Sequence, residues 1–567
     1  MPITVDSDIN SPARWHSNAL ATDGAPRPAP SLLYSEAERI SDAVARYQAS
    51  EQSEPSRAYI VGGWCRNHLL GKSSNDIDME AFGISHAQLS SILVELFGER
   101  VIIPKHPGIA PFKLTFGQHG WIDINIPVRC RRNSPGEFGI YALDPTMRLD
   151  QAASRRDFTC NAIYLDPING STIDLFNGSS DIRDGVLRLL PSHTRESINP
   201  SMLLRACRIA AQFDLVIEPE SKALLKEMVA LGSLQHLPKI NLTHELEKML
   251  CVVEPPSKAL RIADEMGILE ALLPEVSCLR KIEQCPVHHP EGSVFEHTMR
   301  VIDVAARLSR GLPSRQRFTL ALAALLHDTG KALTAKPTVK SGIASISFPG
   351  HERASEELSK KVLTRLELCR STKQDIRRMV SNHMKPLELQ LSKRHARVER
   401  LDNAVRQIVR AIHPRNVELF QKLCEADVLG RGGANHEQVL EMRLGPFADS
   451  INRNRGFATA DQTLLSGKDL VSLGFIDAGD LFKEIILGVE KARDRGAIQS
   501  QVEAGRYVLR VFALGQEAGL ASRIKELNSA HKESLFRALR AAIDDGTVQT
   551  VGQIHRWTHE HLSRVPE

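Results

Sequence analysis

Residues 59–83, YIVGGWCRNHLLGKSSNDIDMEAFG, constrain the fold more than any other part of the sequence. An apolar run of strand character ends at Gly62-Gly63, a helix-like stretch follows, and a second strand-like run comes after it. Glycines let a backbone approach a triphosphate closely and offer its N–H groups to the phosphates. Arg66 can act as a cationic clamp on the same phosphate chain. The segment therefore predicts an α/β unit with a phosphate site at the Gly-Gly turn.

Two carboxylates, Asp76 and Asp78, occupy positions i and i+2 of the second strand-like run. Side chains at that spacing point to one face of a strand, so both can converge on hard divalent cations, and Mg²⁺ suits them. Taken singly, Asp-x-Asp is commonly a solvated strand edge and Gly-Gly only a turn. The two features together, with Arg66 between them, favour a metal-dependent phosphate site over that alternative.

Composition bounds the class of protein. The 567 residues exceed what one hydrophobic core supports, so we expect three or four packed units. With 72 basic and 68 acidic residues the net charge is only +4, and composition alone does not indicate a nucleic-acid binder. The nine cysteines include no Cys-x-x-Cys pair, which favours reduced thiols and a cytoplasmic location. The sequence predicts neither a membrane span nor a secretory signal.

The pattern along the chain predicts an α+β protein, in which short β-rich runs at 58–61, 77–82, 101–104 and 121–128 precede long helical stretches. A loop rich in Pro, Gly and Ser is expected at 337–350. The predicted segments are a disordered leader (1–34), a mixed α/β head (35–190), a helical neck (191–280), an all-α domain rich in histidine (281–430) and a helical C-terminal region (431–567).

The motifs of the head resemble those of the class II tRNA nucleotidyltransferase and bacterial poly(A) polymerase family. Gly62-Gly63-x-x-Arg66 followed by Asp76-x-Asp78 is similar to its Gly-Gly-x-x-Arg-Asp and Asp-x-Asp motifs, with matching spacing. Arg155-Arg156-Asp157-Phe158-Thr159 and Asn161-Ala162 resemble its Arg-Arg-Asp-x-Thr-x-Asn-Ala segment, and residues 174–188 resemble its next block. The resemblance implies nucleotide binding by Gly62, Gly63, Arg66, Arg155, Arg156, Asp157 and Asn161. For individual members of that set, a structural role in helix capping or interdomain salt bridges is the alternative.

The same resemblance implies that Asp76 and Asp78 hold Mg²⁺, which activates an RNA 3′-hydroxyl and stabilises departing pyrophosphate. A third carboxylate is expected on a neighbouring strand, and IDINIPVR offers Asp123. Arg129 follows Asp123 one position later than in the family pattern, so either a bulge or a different pairing is expected there.

Two departures from the family pattern leave the choice of nucleotide open. Asn67 stands where the motif has aspartate, and Ile198, Asn199 and Met202 stand where the family has the Glu-Asp-x-x-Arg set that reads CTP or ATP. Asn199 could still make a bidentate contact with a base, whereas Ile and Met offer no hydrogen bonds. With Asn199, the following arginines Arg205 and Arg208 are assigned to nucleotide binding.

The histidine-rich segment resembles the HD-domain metal phosphohydrolases. His297, then His327-Asp328, then Asp427 follow that superfamily's ligand order, and His351 and His383 lie where its two-metal members add ligands. The resemblance implies a transition metal such as Ni²⁺, Mn²⁺ or Co²⁺, or Mg²⁺, and hydrolysis of phosphomonoester or 2′,3′-cyclic phosphate ends.

Three hypotheses follow for the whole chain. The first is a tRNA nucleotidyltransferase that uses CTP and ATP and carries an HD phosphohydrolase. The second is a poly(A) polymerase on the same scaffold, acting on another RNA 3′ end. The third is an HD phosphohydrolase whose transferase head has decayed into an RNA-binding module. None of the three requires a membrane, and the sequence leaves the oligomeric state open.

Overall fold

The structure is a computed structural model. It describes residues 32–47, 55–105, 110–131, 140–285, 289–340, 343–391, 398–432, 436–453, 464–475, 480–494, 497–498, 500–512 and 529–562. The chain divides into two compact units. The first unit comprises Met1–Ala321, Lys331–Pro349 and Glu357–Arg370, and the second comprises Leu322–Gly330, Gly350–Glu356 and Ser371–Glu567. The predicted leader lies outside the described residues up to residue 31, and residues 32–34, which we assigned to it, are helical.

The strands that the structure describes belong to the first unit. They are β1 (Arg57–Val61), β2 (Asp76–Phe82), β3 (Val101–Ile102), β4 (Phe112–Thr115), β5 (Trp121–Asn125), β6 (Val128–Arg131), β7 (Ile140–Leu143), β8 (Tyr164–Leu165), β9 (Thr172–Ile173), β10 (Val186–Leu187), β11 (Val216–Ile217), β12 (Lys336–Lys340) and β13 (Ile343–Ser347). Seven of them form the sheet of the head, in the order β3-β4-β5-β2-β1-β8-β9. Within this sheet β2 and β5 run parallel, and the other neighbouring pairs are antiparallel.

The two central strands β2 and β5 each bury one face and leave the other polar. On β2 the buried residues Ile77 and Met79 alternate with polar ones, and on β5 Ile122 and Ile124 are fully buried. The predicted strand at 121–128 is wrong in its extent, because the pairing with β2 ends at Asn125. The chain from Val128 instead pairs with β7 in a separate two-stranded sheet, and Pro127, which has no N–H to donate, precedes that change.

The described helices follow in chain order. They are α1 (Leu32–Arg46), α2 (Gly63–Leu69), α3 (His86–Phe97), α4 (Leu149–Ala153), α5 (Gly178–Arg183), α6 (Pro200–Phe213), α7 (Pro219–Ala230), α8 (Lys239–Cys251), α9 (Ser257–Glu265), α10 (Ile268–Leu272), α11 (Pro274–Ser277), α12 (Val294–Leu308), α13 (Ser314–Leu326), α14 (Lys331–Thr334), α15 (His351–Thr364), α16 (Arg370–Asn382), α17 (Lys385–Leu391), α18 (Val398–Ile412), α19 (Val417–Gly430), α20 (His436–Arg453), α21 (Gly467–Ser472), α22 (Asp480–Asp494), α23 (Gln501–Phe512), α24 (Ser529–Asp544) and α25 (Val551–Leu562). Among the helices that the structure describes, none combines the length and apolar character needed to cross a bilayer.

The region predicted as a loop at 337–350 is a β-hairpin over most of its length. Strands β12 and β13 pair antiparallel from Lys336 opposite Ser347 to Lys340 opposite Ile343. The β-branched residues Thr338, Val339, Ile343 and Ile346 favour the strand conformation, and the prediction gave them less weight than the neighbouring Pro and Gly. The predicted all-α domain therefore contains one two-stranded sheet.

Candidate active site

Three carboxylates lie on the polar face of the two central strands. The register places Asp78 directly opposite Asp123, and Asp76 comes two residues before Asp78 on the same face. The expectation that Asp123 lies on a neighbouring strand, facing away from Ile122 and Ile124, agrees with this pairing. Ser74 Oγ lies 2.6 Å from Asp76 Oδ1, and Lys113 Nζ lies 2.8 Å from Asp123 Oδ1. Neighbouring side chains therefore hold the carboxylates of Asp76 and Asp123.

The electrostatics of this face fit a divalent cation. The protein around Asp78 desolvates its carboxyl group and raises the pKa, and the charges of Asp76 and Asp123 raise it further, while Arg156 acts in the opposite direction. Carboxylate oxygens are the donors that Mg²⁺ prefers, and a cation relieves the mutual repulsion of the three acids. The donor set and its charge therefore fit a divalent cation.

The Gly-Gly turn runs beside this face. Gly62 has φ of 78°, in the left-handed region that favours glycine. A Cβ atom there would lie 3.5 Å from Asp78 Oδ2 and 3.6 Å from a terminal guanidinium nitrogen of Arg156. Only a residue without a side chain combines this conformation with open space between the carboxylate and the guanidinium. The turn thus brings a glycine backbone next to both a cationic and an acidic side chain.

The predicted arginine segment forms a connected network. Arg66 is buried and donates to Asn161 Oδ1 at 2.6 Å, and Asn161 Nδ2 in turn donates to Asp157 Oδ1 at 2.9 Å. Arg205 of α6 lies 2.9 Å from the other oxygen of Asp157. Burial acts to raise the pKa of Asp157, but Arg205, the Asn161 amide and the backbone N–H of Phe158 lower it overall. Hydrogen bonds and one ion pair therefore link Arg66, Asn161, Asp157 and Arg205 in a chain beside the cavity, and their binding to nucleotide stays a prediction.

Sequence reasoning missed one pair of positioning residues. Glu80, two residues after Asp78 on the same strand face, accepts a hydrogen bond from Tyr164 Oη at 2.7 Å and one from Arg156 at 3.1 Å. His193 Nε2 also lies 2.6 Å from the Arg156 carbonyl. The alternation of β2 could have indicated Glu80, whereas nothing in the sequence indicated that Tyr164 would meet it.

These side chains line a cavity of about 1060 Å³. The predicted residues in its lining are Gly62, Gly63, Arg66, Asp76, Asp78, Asp123, Arg155, Arg156, Asp157, Asn161, Asn199, Arg205 and Arg208. Arg208 is buried and paired with Glu245 at 2.8 Å, whereas Arg155 is exposed. Lys248 of α8 also lines the cavity, and the sequence did not indicate it. Burial and the nearby arginines lower the pKa of Lys248.

The three departures from the family's base-reading pattern have structural roles here. Asn199 is the N-cap of α6, and its Oδ1 accepts from the Ser201 N–H at 2.9 Å. Ile198 is fully buried, and Met202 Sδ lies 3.4 Å from the Asn199 backbone nitrogen. Asn199 also lines the cavity, so its contact with a base stays a prediction beside this capping role.

The second unit contains a histidine–carboxylate cluster around Asp328. His351 Nε2 lies 3.3 Å and His383 Nε2 3.7 Å from Asp328 Oδ1, and His327 Nε2 lies 3.2 Å from Asp328 Oδ2. Asp427 Oδ1 lies 3.9 Å from His327 Nε2. One ligand atom each of Asp328, His351 and His383 lies within 4.8 Å of the others, as a metal site requires. Five of the six predicted ligands thus meet in this unit.

The protonation of these histidines also fits a metal. His327 Nδ1 lies 2.8 Å from the Ala324 carbonyl, and His383 Nδ1 lies 2.7 Å from the Val380 carbonyl. A carbonyl only accepts, so each Nδ1 carries the proton and the lone pair of the neutral ring is on Nε2, which faces Asp328. Burial acts to lower the pKa of His327, but Asp328 raises it overall.

The sixth predicted ligand, His297, belongs to the first unit. It is fully buried on α12, and its Nδ1 lies 2.8 Å from Glu291 Oε1. His289 Nδ1 lies 2.9 Å from the same oxygen. Burial acts to raise the pKa of Glu291, but hydrogen bonds from both histidines lower it to about 2. The prediction that His297 ligates a metal stays a prediction.

Comparisons with known proteins decide the family. Residues 58–188 match the Poly A polymerase head domain, and residues 294–412 match the HD domain. A "Multifunctional CCA protein" of Xylella fastidiosa (strain M23) is 31% identical over 412 residues, which cover 70% of this chain and 90% of that protein. This chain belongs to the multifunctional CCA protein family. A second member, from Halorhodospira halophila, is 31% identical over 380 residues, covering 66% of this chain and 84% of its own.

Solved structures agree with the fold of this family member. A CCA-adding enzyme in an apo form superposes with a TM-score of 0.50 at 22% identity, over 84% of this chain and 94% of its own. A complex of a CCA-adding enzyme with CTP gives a TM-score of 0.50 at 21% identity, with the same coverage. The α+β architecture, a mixed-sheet head followed by helices, is therefore confirmed.

Proposed function

We propose that this member of the multifunctional CCA protein family transfers nucleotides from CTP and ATP to the 3′ end of tRNA. The observation that carries the proposal is the alignment of Asp78 opposite Asp123, beside the Gly62 turn and Arg156, in one large cavity. The same geometry speaks against a decayed head, because decay would not preserve three carboxylates on one face beside a glycine in the left-handed region. A poly(A) polymerase shares these groups and differs only in its substrates.

The side chains divide the work of such a transfer. Asp76, Asp78 and Asp123 would hold Mg²⁺, which when bound supplies charge neutralisation at the reacting phosphate and lowers the pKa of the attacking hydroxyl. Arg156 and Arg205 carry the positive charge that attracts and orients a triphosphate within the cavity. Gly62 gives the phosphates close access to the backbone. Catalysis then depends on positioning and electrostatics rather than on a protein acid or base.

Nucleotide choice in this proposal draws few hydrogen bonds from Ile198, Asn199 and Met202. Ile198 is buried in the core, and Asn199 caps its helix, so the hydrogen bonds that select C or A come from other groups or are fewer. A site with fewer buried polar partners discriminates less between bases. We therefore propose a relaxed choice between CTP and ATP at this site.

The HD domain is proposed to hydrolyse phosphomonoester or 2′,3′-cyclic phosphate ends. In the second unit, His327, Asp328, His351, His383 and Asp427 would hold one or two ions such as Ni²⁺, Mn²⁺, Co²⁺ or Mg²⁺, which supply Lewis-acid chemistry for the hydrolysis. Removing a terminal phosphate would expose the 3′-hydroxyl that the head extends. The proposal places both activities in the cytoplasm, consistent with the free thiols of the described cysteines.

Labelled tRNA transcripts that end before the first C, after C and after CC test the proposal. Each is incubated with the purified protein and with CTP, ATP, GTP or UTP alone, and the products are resolved at single-nucleotide length. The proposal expects extension with CTP and ATP and mis-addition between these two above that of a strictly selective enzyme. Extension with ATP alone into long tails would favour the poly(A) polymerase, and no extension by the wild type would refute the proposal.

A further inference from the structure

An exposed tryptophan lies on the carboxylate face of the head. Trp121 is the first residue of β5, and the register places it directly opposite Asp76 of β2. Asp123 follows two residues later on β5, so its side chain and the indole ring leave the strand on the same face. Trp121 keeps 40% of its surface exposed. A large aromatic ring therefore borders the carboxylates and faces solvent.

The backbone before Trp121 is fixed by close contacts. The Trp121 N–H donates to the Asn75 carbonyl at 3.1 Å, and the Gly120 carbonyl accepts from the Phe116 N–H at 2.8 Å. Gly120 has a φ of 112°, and a Cβ atom there would lie 1.8 Å from the Asn75 carbonyl oxygen. Only glycine fits this approach, so Gly120 sets the direction in which β5 and its first side chain begin.

Lys113 of β4 lies against the indole ring. Its Nζ is 4.9 Å from the centroid of the Trp121 ring and 2.8 Å from Asp123 Oδ1. The pairing of β4 with β5 places Lys113 directly opposite Asp123. The ammonium group thus restricts the ring and brings a positive charge next to it. An aromatic ring beside a cation is a combination that binds single-stranded nucleic acid, because bases stack on the ring and phosphates attract the cation.

The ring lies away from the groups proposed to bind the triphosphate. Arg156 contacts Glu80, which is four residues further along β2 than Asp76. At a rise of about 3.3 Å per residue, the Trp121 end and the Glu80 end of this face are about 13 Å apart. Trp121 is also not among the described residues that line the cavity, whereas Asp76 and Asp123 are. A triphosphate at the Arg156 end leaves the Trp121 end for the RNA that carries the attacking hydroxyl.

We propose that Trp121 is a stacking platform for the 3′-terminal base of the RNA substrate, with Lys113 beside it to attract the RNA backbone. The ring holds the terminal nucleotide so that its hydroxyl reaches the carboxylates. The inference rests on the proposed nucleotidyl transfer and adds a binding residue to it. Every base has a face that stacks on an aromatic ring, so one platform serves RNA ends of different sequence.

Two substitutions of Trp121 separate its aromatic face from its apolar bulk. Trp121→Leu keeps an apolar side chain without an aromatic face, and Trp121→Phe keeps an aromatic face. The control Leu231→Ala changes an apolar residue of the neck that is 63% exposed and lies outside the cavity lining. The substrate is a tRNA transcript that lacks CCA and carries 2-aminopurine as its 3′-terminal nucleotide. Because stacking quenches the fluorescence of 2-aminopurine, binding to excess full-length protein without CTP or ATP reports the contact itself.

We expect the wild type and Trp121→Phe to quench the probe and Trp121→Leu to leave it bright. In assays of the first C addition, Trp121→Leu should raise the KM for the RNA by about 5- to 150-fold, which is the range for loss of one base–aromatic stack. The KM for CTP should stay at the wild-type value. Leu231→Ala should match the wild type in every measurement, and equal midpoints of thermal unfolding should show that all variants are folded.

The outcomes separate this inference from the function on which it rests. If the wild type extends the transcript and Trp121→Leu retains both the quenching and the KM for RNA, the platform is overturned and the proposed transfer stands. A raised KM for CTP with unchanged quenching would overturn the platform by showing that the ring contacts the incoming nucleotide. A raised KM for RNA with unchanged quenching would overturn it in favour of an indirect structural effect. A wild type that quenches the probe but extends no transcript would refute the proposed transfer, and with it the role of the ring in placing the hydroxyl.

Discussion

Replacing Glu80 with Gln tests how the sheet orients Arg156 in the phosphate site. Glu80 accepts from Tyr164 Oη at 2.7 Å and from Arg156 at 3.1 Å, and its side chain is 14% exposed. A hydrogen bond to an ionised group contributes about 1.5–3 kcal/mol, and a neutral one about 0.5–1.5 kcal/mol. Neutralising Glu80 should therefore weaken each bond by about 1 kcal/mol and the pair by about 2 kcal/mol. That loss is about a 30-fold change in the local opening equilibrium.

Hydrogen exchange followed by mass spectrometry measures this opening in peptides that cover β2 and residues 158–165. Peptides from α19, in the second unit, serve as the internal reference because the substitution leaves them unchanged. Tyr164→Phe removes one of the two bonds and should cost about 1 kcal/mol. In steady-state assays Glu80→Gln should raise the KM for the nucleoside triphosphate more than it lowers kcat, because it loosens a binding cation. Unchanged exchange in the β2 peptides together with an unchanged KM would refute the reasoning.

Three further predictions concern the Gly-Gly turn, Asp157 and the histidine–carboxylate cluster of the second unit. Gly62→Ala should lower kcat/KM for the nucleoside triphosphate by at least about 10-fold, because its Cβ enters the phosphate space. The control Gly71→Ala has a similar positive φ of 65° and nothing within 4 Å, so it should cost about 1–2 kcal/mol of stability without raising KM. Asp157→Asn should destabilise the head by about 2 kcal/mol at pH 7. Because the folded pKa of Asp157 is lowered, that difference should shrink as the pH falls through the folded value, which acid titration of both proteins measures. Gly330→Ala should abolish Co²⁺ binding by the second unit, because its Cβ would lie 2.3 Å from the His351 carbonyl oxygen and the backbone there would have to shift. Co²⁺ binding equal to that of the wild type in a titration would contradict this prediction.

The carboxylate face of the head was predictable because strand periodicity is local. The spacing of Asp76 and Asp78, and the placement of Asp123 between Ile122 and Ile124, determine which side chains share a face once the segments are strands. The pairing of the strands could not be predicted from short stretches of sequence. The end of the β2–β5 pairing at Asn125 and the switch of the following chain to β7 depend on partners far along the sequence.

The supporting contacts were less predictable than the reacting groups. Tyr164 contacts Glu80, which is 84 residues away in sequence. Glu291 contacts both His289 and His297, and no sequence motif indicated that it would. Alignment with a family motif also did not indicate that Asn199, which stands at a base-reading position, caps a helix. The strands at Lys336–Ser347 were predicted as a loop because the prediction gave the Pro and Gly of this segment more weight than its β-branched residues.

The central claim is that the carboxylates of the head perform nucleotidyl transfer, and Asp78→Asn tests it most directly. The assay measures extension of a tRNA transcript that lacks its terminal CCA, with CTP and ATP. Asp214→Asn is the control, since Asp214 has 76% of its side chain exposed and pairs with Lys258 away from the cavity lining. We predict that Asp78→Asn lowers the rate by at least about 100-fold while Asp214→Asn matches the wild type. Extension by Asp78→Asn at the wild-type rate would contradict the claim.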